Sequence, residues 1–475
     1  MKQPKKKRLG LVISDGVGFR NFILSDFMKE AAETFDTIII YSCLPVSVYA
    51  PYNLNCKIVE IEPFKERFIT WFFRKAKELA HLRKFSIHNF GIQENFDLNY
   101  NTAGTVKGFT TRFIFRFIGY CCSEKWILRF TLWQELTYIF YPLNKEYNNI
   151  LVTDNVDLLF FSHQRPPFIA PLITVARRLG IETATFIFSW DNLASKGRMA
   201  GIFDYYLVWS NLMKQELLTF YTSIKSNQVF IVGTPQFEPY LLSRYETSKE
   251  AFYITFNINP SLPTICFSCG DISTSKNDEL YIETIAELIS ENKIITPINL
   301  IVRTSPAEDP SRFYALQNRF PDIGWNFPKW SLSRKNHQEP WSQRIPSSED
   351  LKDLRALLQY CDIGINMCST MSLDFMLFNK PVINPVFGSS ENGLYNDQKF
   401  LQFAHYERVV ESGAVTIARN KTELLNGINE ALFEPLKKQQ QRTALIALQI
   451  GGKLLHTSKR INNSLESMIT KKTHV

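Results

Sequence analysis

The chain has 475 residues, of which 45% are hydrophobic and 21% charged, and its formal net charge is +8 at pH 7. This length exceeds that of one ordinary domain and the composition is globular, so a fibrous or largely disordered chain is excluded and two domains are expected. The positive charge favours an anionic partner, and because the cations are dispersed along the sequence we expect no nucleic acid among the partners.

The N-terminus combines basic residues with a short apolar run. Lys2, Lys5, Lys6, Lys7 and Arg8 precede the apolar residues 9–13, a run too short for a signal peptide. The simpler interpretation of the basic residues is a solvated tail without a binding partner, and the alternative is a tether to an anionic membrane. No stretch of about 18 uncharged apolar residues predicts a membrane-spanning helix.

Cysteine usage bears on the compartment. The eight cysteines have irregular spacing, which favours a reducing environment over a secreted disulfide framework. Cys266 and Cys269 have C-x-x-C spacing, but no second pair or nearby histidine completes a ligand set, so no metal is expected. We therefore expect a cytoplasmic protein, or one lying on the inner face of the cytoplasmic membrane.

Strands and helices alternate along the first half of the chain. Residues 9–14 predict a strand, Gly16 and Gly18 a turn, residues 21–33 a helix, and residues 37–40 a second strand. Residues 62–148 mix aromatic residues with cations and predict a helical insertion, whose helices either fill a core or rest at a membrane interface. Further strands are predicted at 150–152, 157–161, 183–188, 205–209 and 228–232, with helices at 170–179 and 212–220.

A second alternating set follows a Pro-containing linker at 233–240. Two domains, each a parallel sheet covered on both faces, are therefore predicted. We place the first at 1–236 and the second at 237–435, with a helical segment and basic tail at 436–475. Strands of the second domain are predicted at 264–267, 298–302, 363–366 and 381–384, helices at 278–290, 351–359, 372–378 and 421–435, and a long loop at 328–350.

Polar clusters follow three strands of the first domain. In open parallel sheets a ligand binds at the carboxyl ends of the strands, so residues directly after a strand face the pocket. The candidates for contact with a substrate there are Asp15, Gly16, Arg20, His163, Arg165, Trp190, Asp191, Asn192, Lys196 and Arg198.

The second domain offers a candidate diphosphate site. Ser369, Thr370 and Ser372 lie where a strand leads into a helix, which presents hydroxyls and backbone N–H groups to an anion. Arg303 follows another strand and would neutralise phosphate. Asp374 would reach ribose hydroxyls, and Gly270 would let the backbone approach the ligand closely. A helix cap without any ligand is the alternative.

Several catalytic motifs are absent. The segments around Gly16 and Gly270 match neither G-x-G-x-x-G nor G-x-x-x-x-G-K-[ST], which disfavours dehydrogenases and P-loop ATPases. The sequence also lacks G-x-S-x-G and H-E-x-x-H, so hydrolase and zinc chemistry are disfavoured.

Five segments of the chain carry a family resemblance. They are Ser162-His-Gln-Arg165, Ser189-Trp-Asp-Asn-Leu-Ala-Ser-Lys-Gly-Arg198, Val208-Trp-Ser210, Val232-Gly-Thr-Pro-Gln-Phe237 and Asn366-Met-Cys-Ser-Thr-Met-Ser-Leu-Asp374. These segments resemble those of a bacterial family of GT-B-fold glycosyltransferases of surface polysaccharide biosynthesis, within the UDP-glycosyltransferase and glycogen phosphorylase superfamily. The resemblance covers about residues 9–435, weakly over 62–148. More distantly the chain resembles CDP-glycerol glycerophosphotransferases, although their His-Gly-Thr stretch is missing.

The resemblance implies two doubly wound domains facing across a cleft and transfer of a sugar from a nucleotide-diphosphate donor to a polysaccharide or lipid-linked acceptor. It implies no metal or other cofactor, because helix dipoles and cations generally stabilise the leaving diphosphate. Asp15, Asp191 and His163 are the candidate bases. Lys196 and Arg198 would face donor phosphate or an anionic acceptor, or form salt bridges. A glycerophosphotransferase and a nucleotide-sugar epimerase are the alternatives.

Overall fold

The computed structural model describes residues 6–62 and 64–473. They form two compact units. The N-terminal unit comprises residues up to 238 together with 332–345 and the residues from 449 onward, and the C-terminal unit comprises 239–331 and 346–448. The boundary at 238 falls inside the predicted linker. Two members of the predicted basic tether, Lys2 and Lys5, lie outside the described residues.

The N-terminal unit is built on a seven-stranded sheet in the order β3-β2-β1-β4-β5-β6-β7. All neighbouring strands pair in parallel, and the central strands are almost wholly buried, as expected for a sheet covered on both faces. The strands are β1 Arg8–Ile13, β2 Thr37–Ser42, β3 Lys57–Glu60, β4 Leu158–Phe161, β5 Glu182–Phe186, β6 Tyr205–Val208 and β7 Val229–Ile231.

Most helices of this unit fall where they were predicted. The predicted helix at 21–33 is two helices, α1 and α2, and Gly16 and Gly18 lie in the first turn of α1. The helices are α1 Gly16–Ile23, α2 Phe27–Thr34, α3 Phe68–Phe85, α4 Phe90–Leu98, α5 Val106–Phe117, α6 Glu124–Thr137, α7 Leu143–Asp154, α8 Ala170–Arg178, α9 Asn192–Ser195 and α10 Asn211–Phe220.

The predicted helical insertion has a core of its own. Leu79, Leu82, Ile92, Ile114 and Ile127, from α3, α4, α5 and α6, pack together and are buried. The strand predicted at 150–152 is wrong, because these residues belong to α7. Tyr147, Leu151 and Asp154 are the buried residues of that helix, and their spacing of four and three residues is helical.

The C-terminal unit contains a six-stranded sheet in the order β10-β9-β8-β13-β14-β15. Its strands also pair in parallel. The segment predicted as a long loop at 328–350 contains a short two-stranded sheet, β11–β12. The strands of the six-stranded sheet are β8 Thr264–Ser268, β9 Asn299–Arg303, β10 Gly324–Asn326, β13 Ile363–Ile365, β14 Val382–Pro385 and β15 Thr416–Ala418. The short strands β11 Trp330–Leu332 and β12 Arg344–Pro346 lie at the two ends of segment 332–345, which belongs to the N-terminal unit.

The last helix returns to the N-terminal unit. α19 packs against α2, where the Asn462 amide donates to the carbonyl oxygen of Phe27 over 3.2 Å. The helices after α10 are α11 Lys249–Phe256, α12 Asp278–Ser290, α13 Tyr314–Arg319, α14 Ser348–Tyr360, α15 Met371–Leu377, α16 Ala404–Glu411, α17 Lys421–Phe433, α18 Gln439–Ile450 and α19 Thr457–Thr473.

Candidate functional site

Asp15 and His163 lie at the switch point of the N-terminal sheet. The strand order reverses between β1 and β4, which are neighbours although 144 residues separate their ends in sequence order. Asp15 follows β1 and His163 follows β4. Ligands of open α/β sheets bind at such a point, outside the carboxyl ends of the strands.

The carboxylate of Asp15 is buried and fully engaged. It caps α1, since Oδ1 accepts hydrogen bonds from the backbone N–H groups of Val17 at 3.1 Å and Gly18 at 2.8 Å. Oδ2 accepts from the Ser14 hydroxyl at 2.7 Å and lies 2.9 Å from Nδ1 of His163. With four partners and no exposed surface, Asp15 holds its neighbours in place and does not reach a substrate directly.

The imidazole of His163 is held from two sides. Its Nδ1–H points at Asp15, and its ring stacks on Phe188 with a centroid distance of 3.8 Å. The Trp341 ring lies edge-on, 6.2 Å away. Within residues 6–62 and 64–473, Nε2 is buried and has no hydrogen-bond partner. A neutral imidazole bound through Nδ1–H presents an acceptor lone pair at Nε2, so the unsatisfied atom is the one that could take a proton from a ligand.

Burial and pairing set the charges of this pair. Burial raises the pKa of Asp15, but the hydrogen bond and charge of His163 and the bonds from Gly18 and Ser14 outweigh it, and the net pKa is lowered. Burial lowers the pKa of His163, and its bond to Asp15 offsets only part of that effect. The pair is therefore an ionised carboxylate beside a neutral imidazole at neutral pH.

Segment 332–345 packs against the start of α1, which the sequence did not predict. An ideal Cβ on Gly16 would lie 1.7 Å from the carbonyl oxygen of Arg344. Glu339 of the same segment is near enough to Arg74, Arg165 and Asp15 for their charges to act on it, although burial is the larger effect and raises its pKa. The segment thus adds Glu339 and Trp341 to the surroundings of His163.

Gly16→Ala is expected to loosen this segment. The new methyl group clashes with backbone, and overpacking of this kind costs about 1–3 kcal/mol. Thermal melting should show the loss, and limited proteolysis should cut within 332–345 faster than in the wild type. Gly104→Ala is the control, because no atom lies within 4 Å of its Cβ position. Equal proteolysis of both variants would contradict the assigned packing.

The segment after β5 is fixed by hydrogen bonds from other elements. The Gln164 amide accepts from the backbone N–H of Phe188 at 3.1 Å and donates to Asn192 Oδ1 at 2.8 Å. Asn95 donates to the carbonyl of Ser195 at 2.9 Å. The Lys77 ammonium, whose pKa burial lowers to about 8, donates to the carbonyls of Met199 and Ala200 at 3.0 Å each. Asn95 and Lys77 were not predicted, because nothing local marks them.

The predicted residues of this segment have different environments. Trp190 is buried. Asp191 accepts from the Asn192 amide at 3.1 Å and lies 3.6 Å from the ammonium of Lys196, which is 42% exposed. Arg198 is buried and pairs with Glu124 at 2.5 Å, with its guanidinium 4.2 Å from the centre of the Tyr221 ring. Of the two interpretations of Arg198, contact with a ligand or a salt bridge, the structure therefore has the salt bridge, which lies inside the unit.

Two further predicted cations follow the same two strands. Arg165 lies in the loop after β4 and is half-buried, and its charge acts on His163. Among the described residues, its Nε is buried without a hydrogen-bond partner. Arg20 is half-buried on α1, the helix that follows β1, one turn after Gly16.

The C-terminal sheet has its own switch point, between β8 and β13. Ser369 and Thr370 follow β13 and are half-buried. Asn366 Oδ1 accepts from the backbone N–H of Ser369 at 2.9 Å, and Ser369 Oγ accepts from that of Met371 at 3.1 Å. The start of α15 is therefore partly capped by its own loop, and Ser369 and Thr370 are the half-buried hydroxyl residues of the predicted phosphate site.

Three other residues predicted to touch the donor are engaged internally. Arg303 is buried and forms an ion pair with Asp350 at 2.9 Å. Ser372 is buried, with its hydroxyl 2.8 Å from that of Tyr406. Asp374 is buried and accepts from the Tyr240 hydroxyl. Their polar groups serve the packing of this unit.

Gly270 also has a packing role. An ideal Cβ there would lie 2.1 Å from the Ser275 hydroxyl oxygen, so the glycine makes room for its own loop. Its backbone N–H donates to Asp278 at 2.9 Å.

Two lysines near this switch point were missed. Lys276 and Lys399 lie 4.8 and 5.4 Å from the centre of the Tyr395 ring. Asp397 connects the region of these lysines to the loop after β13. It accepts a hydrogen bond from the Asn277 amide at 2.6 Å. Burial raises the pKa of Cys368 in that loop, and the charge of Asp397 raises it further. The signal of the two lysines was positional only, since Lys276 lies in the loop after β8 and Lys399 lies in a short 3₁₀ helix, Gln398–Gln402, that follows β14.

The described residues contain neither a metal-binding cluster nor a membrane-spanning helix. Within residues 6–62 and 64–473 no group of three or more His, Cys, Asp or Glu residues is arranged to hold a metal ion. Over the same residues, no helix has the length and hydropathy needed to cross a bilayer.

Comparison with known proteins identifies the fold. No family model and no curated protein matches the sequence. A glycosyltransferase from Rickettsia africae matches with 13% identity and a TM-score of 0.52, over 98% of this chain and 100% of its own. UDP-GlcNAc 2-epimerase from Neisseria meningitidis bound to UDP-GlcNAc matches with 11% identity and a TM-score of 0.52, over 97% of this chain and 100% of its own. S. aureus MnaA with UDP matches with 10% identity and a TM-score of 0.52, over 98% of this chain and 97% of its own. The predicted GT-B class of two Rossmann-like domains is thereby confirmed.

Proposed function

We propose that this protein is a glycosyltransferase that moves a sugar from a nucleotide-diphosphate donor to a surface-polysaccharide or lipid-linked acceptor without a metal. One observation carries the proposal. At the switch point of the N-terminal sheet, a neutral histidine is oriented by a buried carboxylate and keeps Nε2 unsatisfied. A base of this kind is what activation of an acceptor hydroxyl requires.

In the proposed reaction His163 is the base. Its Nε2 takes the proton of the acceptor hydroxyl while that oxygen forms a bond to the anomeric carbon of the donor. The bond between this carbon and the diphosphate breaks, and the nucleoside diphosphate leaves with the electron pair. Asp15 holds the imidazole through Nδ1–H and stabilises the imidazolium that forms, by analogy with other carboxylate–histidine pairs. Asp191 remains a second candidate, and Asp15 acts as a positioning residue.

The donor diphosphate is proposed to bind at the switch point of the C-terminal sheet. Ser369 and Thr370 would donate their hydroxyls, and Lys276 and Lys399 would supply positive charge. Arg303, Ser372, Asp374 and Gly270 are left out of this set, because their polar groups are engaged inside the unit.

We place the protein in the cytoplasm, with its acceptor at the inner face of the cytoplasmic membrane. All eight cysteines have free thiols, which is consistent with a reducing compartment.

A donor screen tests the proposal. A nucleoside-diphosphate sugar at about 100 times its Kd should stabilise the protein by about 2.7 kcal/mol, and the melting temperature should rise. Thr370→Ala with Lys276→Ala should reduce that rise. Thr255→Ala with Lys293→Ala is the matched control, because both residues are exposed on the same unit and neither follows the carboxyl end of a strand, and it should leave the rise unchanged.

Product analysis then separates the candidate reactions. With a donor and an acceptor extract, a product heavier by one glycosyl unit supports the proposal. A glycerophosphate increment from CDP-glycerol would replace it with the phosphotransferase alternative. Interconversion of the free nucleotide sugar without an acceptor would identify an epimerase, as the structurally similar protein from Neisseria meningitidis is.

A further inference from the structure

Helix α5 exposes an apolar stripe on the N-terminal unit. Val106, Phe109, Phe113 and Phe117 are 70%, 62%, 58% and 48% exposed. Their spacing of three, four and four residues places them on one face of the helix. The opposite face carries Gly108, Thr111 and Ile114, which are buried. The exposed stripe is therefore additional to the apolar face that the fold itself uses.

Cations border this stripe, and acidic residues are missing from it. Lys107 and Arg116 are exposed, and the guanidinium of Arg112 lies 4.5 Å from the centre of the Phe109 ring. Residues 98–123 contain no Asp or Glu. The face is therefore positively charged as well as apolar.

The start of α3 extends the apolar surface towards α6. Phe68 is exposed, and its ring lies 5.5 Å from that of Trp71, over which the ammonium of Lys107 sits at 5.3 Å. The hydroxyl of Thr70 contacts that of Thr137 at 2.8 Å. The first turns of α3 thus touch both α5 and the end of α6.

The end of α6 is apolar and exposed too. An open, almost wholly apolar depression of about 380 Å³ is lined by Phe73, Trp133, Leu136, Thr137 and Phe140. Half of the exposed large apolar side chains among the described residues lie within 68–140. This concentration is what distinguishes a functional patch from the scattered apolar residues of an ordinary surface.

We propose that this face, formed by α5, the start of α3 and the end of α6, rests in the interface of an anionic phospholipid bilayer. Aromatic side chains beside lysine and arginine are the composition of helices that lie in a membrane interface. The charge selects the occupant, since lipid phosphates complement the cations of α5, which carries no acidic residue, while Glu135 near the end of α6 is already paired with Arg177 at 2.8 Å. The inference deepens the proposed location at the membrane, and its test does not depend on the proposed reaction.

Vesicle binding tests the inference. The full-length protein should co-sediment with vesicles of equimolar phosphatidylglycerol and phosphatidylcholine, and added salt should weaken that binding. It should bind pure phosphatidylcholine vesicles far more weakly. Phe109→Ser with Phe113→Ser should lower the partition coefficient at least about tenfold. Lys107→Gln with Arg116→Gln should lower it by about 30-fold, the effect of two cations near an anionic surface.

Matched controls separate this face from general effects. Phe433→Ser with Ile254→Ser removes two side chains that are 78% and 79% exposed on the other unit. Lys293→Gln with Lys453→Gln removes two exposed charges elsewhere. Both controls should bind like the wild type, and all variants should keep its melting temperature. Equal losses in variants and controls, or no sedimentation of the wild type, would overturn the inference. So would a wild-type dimer that Phe109→Ser with Phe113→Ser converts to a monomer, since the face would then be a protein interface.

Discussion

Replacing His163 with asparagine is expected to lower kcat by about 10²–10⁴-fold, the usual contribution of a general base, while the protein stays folded. The only hydrogen bond that the structure gives the imidazole is the one to Asp15, and an asparagine side chain can still donate it. Nε2, which has no partner, is the atom that disappears. The measurement is kcat with the donor and acceptor that the screen identifies, together with the melting temperature.

Asp15→Asn tests the positioning role. The new amide can accept from Nδ1–H through its oxygen, or it can donate to an unprotonated Nδ1 through its nitrogen. In the second arrangement the proton of His163 is on Nε2, so that fraction of the molecules has no base. We expect a smaller fall in kcat than in His163→Asn, and the double variant should be no worse than His163→Asn alone because the two residues act as a unit. The control is Asp154→Asn, which alters another buried carboxylate of the same unit, held by Tyr41 at 2.9 Å and Lys57 at 2.5 Å.

The pH profile gives these variants a second readout. Activity requires neutral His163, and burial lowers its pKa below the ordinary value of about 6.5. The acid limb of kcat/KM should therefore lie below pH 6.5. Asp15 raises the pKa of His163, so Asp15→Asn should move that limb to still lower pH. A limb that stays in place would mean that His163 is not the titrating base.

Much of the fold was predictable because buried parallel strands are short apolar runs between amphipathic helices. The strands at 9–13 and 158–161 and the helix at 278–290 lie where the sequence placed them. The error at 150–152 has the same origin, since a three-residue run such as Ile-Leu-Val suits a buried strand and a helix face equally. β3 was missed because its residues, Lys57–Glu60, are exposed or half-buried at the edge of the sheet.

The site was predictable where a polar residue directly follows a strand. Asp15 and His163 obey that rule, and the parallel order of β1 and β4 brings them together. The different roles of the two residues were not predictable. They depend on the four hydrogen-bond partners of Asp15 and on the lack of a partner, among the described residues, at Nε2 of His163. Segment 332–345 was missed for another reason, as its contact with Gly16 joins residues more than 300 positions apart.

Arg303 shows how a correct placement can carry a different role. It ends β9, as predicted, but Asp350 of α14 lies against it, and the side chains are 6% and 2% exposed. A sequence gives no sign of which carboxylate a buried arginine will meet. An Arg303→Ala substitution therefore acts first on the stability of this unit.

Arg303→Ala is expected to destabilise the C-terminal unit by about 3–5 kcal/mol, because it leaves the buried carboxylate of Asp350 without its countercharge. For a unit of this size the melting temperature should fall by about 6–20 °C. Burial raises the pKa of Asp350, but Arg303 and the bonds from Trp330 and Lys329 outweigh it and lower the net pKa. The stability contributed by Asp350 is then present above its unfolded pKa of about 3.9 and is lost as the pH falls through the lower folded value.

Two controls decide between a buried pair and a phosphate ligand. Arg319→Ala breaks an exposed pair with Glu283 on the same unit and should cost less than about 1 kcal/mol. Arg303→Ala with Asp350→Ala should cost less than the sum of the single variants, because the second change removes the unpaired charge. Below its reduced melting temperature, Arg303→Ala should still be stabilised by the nucleotide-sugar as strongly as the wild type. Loss of that stabilisation in a folded variant would return Arg303 to the donor site, since a residue engaged by Asp350 and Asn326 inside the unit cannot change the affinity for a ligand that it does not touch.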